Sequence, residues 1–235
     1  RLTPMQVGVV DLFASASDHV SLSDAWRMRV APLRDGSADE GVPPVPSLSS
    51  VLRPYQRHGH AWLTARLSGG IGGILADDMG LGKTVQILSA VAALRAHAPA
   101  GDPSPVLVVA PTSVVGVWID QARTFTPHLR VRAVKETATR RGTTIQEEVA
   151  DMDIVVTSYT LARLEAEQWN QVRLGGVVID EAQAVKNPRT ATYRALRDLE
   201  SPWKLAVSGT PIENSLGDLW SLLSLTCPGL LPPWE

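Results

Sequence analysis

The chain has 235 residues, 44% of them hydrophobic, with a formal net charge of −2 and a pI of about 6.2. That is enough apolar material for one substantial core and too little charge imbalance for a global basic field that gathers polyanions, although a local groove can still be basic. No apolar run approaches the ~20 residues of a membrane-spanning helix, and the single cysteine, Cys227, excludes an internal disulfide framework, fits a reducing compartment and reads as a buried thiol.

Residues 1–31 predict a small helical extension. A helix runs from Ser21 or Ser23 through Val30, with Ser23 as its cap and Asp24 in the first turn. From Pro32 to Ser50 the composition turns to Gly, Pro, Ser and Asp, including Pro43-Pro44-Val45-Pro46, so 32–50 reads as a linker and 51–235 as the domain. The opening Arg1-Leu2-Thr3-Pro4 has neither an initiating Met nor a signal-peptide layout, and Pro232-Pro233-Trp234-Glu235 ends abruptly. The sequence is expected to be a piece of something longer.

Leu52-Arg53-Pro54-Tyr55-Gln56 leads into a helix through Trp62, Leu63 and Leu67, with Pro54 in its first turn. Next comes Gly73-Ile74-Leu75-Ala76-Asp77-Asp78-Met79-Gly80-Leu81-Gly82-Lys83-Thr84, followed by the helical pattern Val85 to Val91. Apolar run, glycine loop and helix start form the order that a phosphate cradle requires: glycines admit close backbone approach, and free N–H groups at the helix start face the anion. Lys83 would reach the β- and γ-phosphates, and the Thr84 hydroxyl would ligate Mg²⁺. Asp77 stands where the general phosphate-loop pattern has Gly, so the match fails by one residue.

Further apolar runs follow at Val106–Ala110, Val131–Val134, Ile154–Val156, Val177–Ile179 and Leu205–Val207, with helical patterns between them. Continuous Val, Ile and Leu without polar alternation predicts strands buried on both faces, hence one α/β domain with a mainly parallel sheet sandwiched by helices. In such a sheet the carboxyl ends of the strands line the ligand crevice. Asp180-Glu181-Ala182-Gln183 follows one strand, so Asp180 would hold Mg²⁺ and Glu181 would orient or deprotonate the attacking water. Val207-Ser208-Gly209-Thr210-Pro211 follows another, where hydroxyls can bond neighbouring carboxylates or a phosphate backbone.

From about Leu52 to Leu231 the chain resembles the Swi/Snf-type ATPases of helicase superfamily two, in the compact form seen in bacteria. Leu52-Arg53-Pro54-Tyr55-Gln56 is similar to their adenine motif, with Gln56 reading the base. Ala76 to Thr84 is similar to motif I, in which Asp at position 77 is usual. The resemblance implies a RecA-like first lobe that binds ATP and Mg²⁺ through Arg53, Gln56, Asp77, Asp78, Met79, Gly80, Leu81, Gly82, Lys83 and Thr84. Asp180-Glu181-Ala182-Gln183 resembles motif II, with Gln183 where many relatives have His; Lys83, Asp180, Glu181 and Gln183 would be catalytic, and Thr84 and Asp180 would hold the metal. Pro111, Thr112 and Ser113 (motif Ia, followed by Trp118), Thr157, Ser158 and Tyr159 (motif Ib), and Ser208 and Thr210 (motif III) would face double-stranded DNA. The implied activity is ATP-driven translocation on duplex DNA and remodelling of bound protein, in the bacterial cytoplasm at the nucleoid. A nucleotide-gated module that regulates a partner such as RNA polymerase is the alternative.

Three features have plainer readings. Arg130, Arg132, Lys135, Arg140 and Arg141 form a basic cluster that is a solvated face by default and a backbone-contacting face by alternative; strand alternation would put Arg130 and Arg132 on one side. His58 and His60 lack a second ligand pair for zinc and would not share a helix face. Tyr55 and the seven tryptophans suit core or interface packing for the most part.

Relatives carry a second RecA-like lobe with arginines that complete the ATP site, and no equivalent appears by Glu235. Such arginines are worth roughly 10³–10⁵ in rate in comparable enzymes. Residues 1–235 alone are therefore expected to bind nucleotide but turn it over very slowly. Robust hydrolysis by this fragment with duplex DNA, in a phosphate-release assay, would refute that expectation.

Overall fold

The computed structural model describes residues 41–98, 104–213 and 215–231. The helix expected between Ser21 and Val30 lies outside them, as does Asn214.

Among the described residues two helices precede the sheet, α1 (Pro46–Ser49) and α2 (Pro54–Ser68), each with proline at its start, where a missing N–H costs nothing and a fixed φ suits the turn. Six strands follow: β1 (Gly73–Leu75), β2 (Val106–Ala110), β3 (Val131–Val134), β4 (Ile154–Ser158), β5 (Gly176–Asp180) and β6 (Lys204–Val207). They form one sheet in the order β1-β6-β5-β2-β4-β3, and every pairing is parallel. Helices α3 (Lys83–His97), α4 (Thr112–Phe125), α7 (Tyr159–Leu164) and α9 (Ala191–Asp198) carry connections between strands and α10 (Leu216–Thr226) follows β6, with short α5 (Ala138–Arg141), α6 (Ile145–Val149) and α8 (Ala166–Trp169) between β3 and β5.

The continuous apolar strands divide their side chains between two cores. Leu107 and Val109 of β2, with Val155, Val177, Ile179 and Ala206, join the core under α6 to α10. Val106, Val108 and Ala110, with Ile154, Val156, Val178 and Leu205, join the core under α2, α3 and α4. Strand side chains alternate in direction, so a run that is apolar at every position needs cover on both faces. The edge strand β3 is the exception: Arg132 is exposed and only Val134 is buried.

The basic cluster around β3 is largely neutralised from within the domain. Arg130 pairs with Asp153 and Asp151, Arg132 with Glu148 at 3.0 Å, and Arg141 with buried Glu165 at 2.9 Å. Lys135 and Arg140 remain exposed beside them.

Residues 41–50 are not a free linker. Leu48 of α1 is 1% exposed and packs with Leu52, Val85 and Ala92, where α1 meets α3. The Val42 carbonyl accepts a 2.7 Å bond from His60 Nε2, and His60 Nδ1 takes the Ser89 hydroxyl at 2.9 Å. The Gly- and Pro-rich composition concealed a single well-placed leucine. His58 is exposed while His60 is buried, so the two point apart, and no group of three or more potential metal ligands occurs among the described residues. Among those residues no helix is long and apolar enough to cross a membrane.

Leu48→Ala should destabilise the domain by about 2–5 kcal/mol, read as a lower urea midpoint at unchanged slope; a neutral effect would return this segment to linker status. Burial lowers the His60 pKa from its ordinary 6.5, and the Val42 bond only partly opposes it. Below 6.5 the unfolded chain therefore binds a proton that the folded chain refuses, and stability falls as pH drops through the lower folded value. Between about pH 7.5 and pH 5 the thermal midpoint should fall less in His60→Gln than in wild type.

Candidate functional site

Parallel strands end at one edge, and the strand order decides which loops meet there. In the register, Leu75 of β1 lies beside Val207 of β6, and Val207 beside Asp180 of β5. The Ser208 N–H then bonds the Leu75 carbonyl at 3.2 Å. The loops after β1, β6 and β5 thus stand side by side, although more than a hundred positions separate Leu75 from Asp180 in the chain.

The loop after β1 turns on two left-handed glycines, Gly80 (φ 83°) and Gly82 (φ 72°), the second capping α3. A β-carbon on Gly82 would lie 2.6 Å from Gln56 Nε2, so side-chain space is closed there as well as the backbone conformation. Lys83 Nζ folds back inside the loop, donating to the Asp77 and Asp78 carbonyls at 2.7 and 3.0 Å. Asp77, the residue that broke the general pattern, accepts a 2.9 Å bond from buried Gln86 and ties the loop to the first turn of α3. Asp78, Met79 and Gly80 are exposed, and Leu81, Gly82 and Thr84 half-buried. Met79 is 80% exposed. A β-carbon on Gly209 would sit 3.0 Å from Met79 Cγ and 3.9 Å from Lys83 Nζ, so the loop after β6 reaches the lysine directly.

Gln56 is almost buried. Its Oε1 accepts from the Arg53 N–H at 3.0 Å and its Nε2 donates to the Leu81 carbonyl at 3.1 Å, which leaves one hydrogen and one lone pair on the amide. Tyr55 is 38% exposed and donates to the same Leu81 carbonyl at 3.2 Å. Arg53 is exposed at the start of α2.

At the end of β5 the chain turns through Glu181 in a left-handed conformation (φ 51°, ψ 53°), rare for a residue with a β-carbon. Asp180 is 8% exposed, and both of its oxygens are engaged: Oδ1 by the Glu181 N–H at 3.0 Å and Oδ2 by the indole N–H of buried Trp118 at 2.7 Å. Burial pushes the Asp180 carboxyl above its ordinary value. The Trp118 bond works against that and the Glu181 charge adds to it, while the Glu181 N–H and the Lys83 charge also pull downward. Glu181 Oε2 accepts from Gln183 Nε2 at 2.6 Å, and Gln183 Oε1 accepts from the Ser208 hydroxyl at 3.0 Å. A continuous hydrogen-bonded chain thus runs from the loop after β6 to Glu181.

The residues expected to face DNA fall into two groups. Thr112 and Ser113 stand exposed in the first turn of α4, with half-buried Pro111 as its cap, and Thr210 is exposed. Four others are turned inward. Thr157 is fully buried and bonds the Val134 carbonyl, because its place in β4 points it at the edge strand. Ser208 is 1% exposed and committed to Gln183 and the Thr210 N–H. Tyr159 donates to the Asp180 carbonyl at 2.6 Å. Burial, then the charges of Asp180 and Glu181, raise its pKa, so the phenol stays a donor. Ser158 is buried as the cap of α7, its hydroxyl accepting from the Leu161 N–H. These four side chains therefore build the site's walls instead of presenting themselves to a ligand.

Lys186 is a participant that spacing gave no reason to single out. Its ammonium binds the Thr210 carbonyl at 2.9 Å, Glu213 at 3.0 Å and Asp218 at 3.3 Å, pinning the loop after β6 to the turn after β5. Trp118 was visible as the aromatic following Ser113, but nothing in the sequence pairs it with a carboxylate sixty-two positions away.

The SNF2-related domain matches residues 55–235. This chain belongs to that family. It is 36% identical to YwqA of Bacillus subtilis over 226 residues, 95% of this chain and 24% of that protein. It is 35% identical to the ISWI chromatin-remodeling complex ATPase ISW1 of Saccharomyces cerevisiae, across 78% of this chain and 16% of that one. The chain thus spans about a quarter or less of these curated relatives. The Sulfolobus solfataricus SWI2/SNF2 ATPase core domain superposes with a TM-score of 0.67 at 37% identity, covering 77% of this chain and 36% of that one. The same core in complex with dsDNA gives 0.66. The chain is accordingly a Snf2-type ATPase domain, the first RecA-like lobe of a helicase-superfamily-two enzyme, and the family uses ATP.

Proposed function

We propose that this domain is the ATP-binding half of a DNA-dependent motor that moves on duplex DNA and remodels what is bound there. The observation that carries the reading is the convergence of Lys83, Asp180, Glu181, Gln183 and Ser208 on three adjacent strand ends. The residues present fit a magnesium nucleotide. A cradle of two left-handed glycines surrounds an ammonium that only backbone carbonyls hold, and an oriented carboxylate lies on the next strand but one.

In this reading Lys83 exchanges its two carbonyl partners for the β- and γ-phosphates, and the exposed loop from Asp78 to Gly82 presents its N–H groups to them. Thr84 and Asp180 would hold Mg²⁺, which would supply charge neutralisation to the phosphates. Gln56, with its remaining hydrogen and lone pair, reads the adenine edge beside Arg53. Glu181 accepts the proton of the attacking water, and Gln183 fixes the carboxylate by occupying one of its oxygens. Thr112 and Ser113, at the open start of a fourteen-residue helix, suit a DNA phosphate; Thr210 is exposed as well, with its hydroxyl donating to Glu213 at 2.8 Å. The Ser208–Gln183–Glu181 chain is the route by which contact at the loop after β6 alters the position of the base. Arginines from a second lobe complete the site.

The test is steady-state ATPase measurement on the full-length protein with and without duplex DNA, alongside Glu181→Gln. Wild type should be stimulated by DNA, and Glu181→Gln should lose about 10²–10⁴ in kcat while retaining nucleotide binding. A rate indifferent to DNA, or to the substitution, would favour instead a nucleotide-gated module that regulates a partner such as RNA polymerase.

A further inference from the structure

Trp118 sits in α4, about one and a half turns beyond the exposed Thr112 and Ser113, with its ring in the core under α2, α3 and α4 and 1% of its surface exposed. A core ring of this kind needs only bulk. Its indole nitrogen nevertheless meets Asp180 Oδ2 at 2.7 Å, short for an N–H···O bond and in the range of charge-assisted ones. Core packing does not by itself demand such a partner: Trp169 is equally buried, and its Nε1 has no hydrogen-bond partner among the described residues. The indole nitrogen is a donor only, so it can stabilise Asp180 only through an oxygen lone pair.

Asp180 is held at three points. Tyr159 holds its carbonyl, the following N–H holds Oδ1, and Trp118 holds Oδ2. Only the last fixes the side chain from outside its own turn. Without it the Glu181 N–H alone would hold the carboxylate, through one oxygen, and the other oxygen would be free to swing about that single bond. With it, two of roughly four lone-pair positions are committed and the rest face a set direction.

We propose that Trp118 is a positioning residue for the metal-holding carboxylate: its indole N–H fixes the orientation in which Asp180 receives a divalent cation. The proposal rests on the reading of Asp180 as a Mg²⁺ ligand. Groups that orient a metal ligand through its other atoms contribute about 10–100-fold to metal affinity, and the lower end suits a carboxylate that keeps one internal bond.

The experiment uses the full-length protein and a fluorescent ATP analogue, titrated with Mg²⁺ and also measured in EDTA. Trp118→Phe keeps most of the ring and deletes the N–H; it should raise the Mg²⁺ concentration for half-maximal binding about 10-fold and leave affinity in EDTA within about 2-fold. Site-specific replacement of Trp118 by benzothienylalanine, which exchanges N–H for sulfur at nearly constant shape, should reproduce the shift if Trp118→Phe does not fold. Asp180→Asn should shift the Mg²⁺ midpoint further. A wild-type midpoint in either folded Trp118 variant, with Asp180→Asn shifted, would overturn the inference and leave Trp118 as core. An equal loss of affinity in EDTA would overturn it too, by showing general loosening. An unshifted Asp180→Asn would remove the metal from Asp180 and defeat the inference together with the reading beneath it.

Discussion

The row Leu75–Val207–Asp180 governs this domain. Because β6 enters between β1 and β5, the last strand in sequence places its loop between the phosphate loop and the acidic turn. A different order of the same six parallel strands would put the same motifs at the same edge without bringing Gly209 beside Lys83 or Ser208 beside Gln183. The buried, two-sided strands give the edge its rigidity. With both faces covered, a shift of register would carry the apolar side chains of one core into the other.

The acidic turn is built as a satisfied polar network inside an otherwise apolar frame. Trp118, Tyr159, Gln183 and Ser208 each spend a hydrogen on the turn or on its neighbour. In a low-dielectric setting such bonds strengthen one another, and any one left unmade is costly. That accounts for the inward orientation of Tyr159, Thr157 and Ser208. A hydroxyl at the end of a parallel strand competes between solvent and the neighbouring loop, and here the neighbouring loop is an acidic turn or an edge strand with acceptors to satisfy. The hydroxyls of Thr112 and Ser113, at the start of α4, stay exposed.

The architecture was legible because its signal is local. Val106–Ala110 and Val177–Ile179 announce two-sided burial residue by residue, and the glycine spacing of Gly80 and Gly82 announces a turn that other residues resist. Asp77 is the middle case: it looked like a defect in a pattern, and its reason, a bond to Gln86 in the next helix, is visible only once the loop and helix are folded together. What stayed hidden depends on strand order. Nothing in the sequence pairs Trp118 with Asp180 or Lys186 with Asp218, since those contacts follow from which loops become neighbours. The packing of 41–50 is hidden for another reason. Its prolines and glycines describe its backbone, while one leucine and one carbonyl that accepts from His60 decide that it packs.

Glu181 is held where a glycine would be at ease. A left-handed residue with a β-carbon costs of the order of 1–3 kcal/mol, and the Tyr159 hydroxyl on the preceding carbonyl is among the contacts that maintain it. The domain therefore carries less stability than its backbone would permit, and the shortfall is lodged at the residue proposed to do the chemistry. A search for more robust variants of this fold would be drawn to that position, because relaxing it is among the cheapest gains in stability on offer. Selection for durability and selection for turnover pull in opposite directions at this one peptide unit.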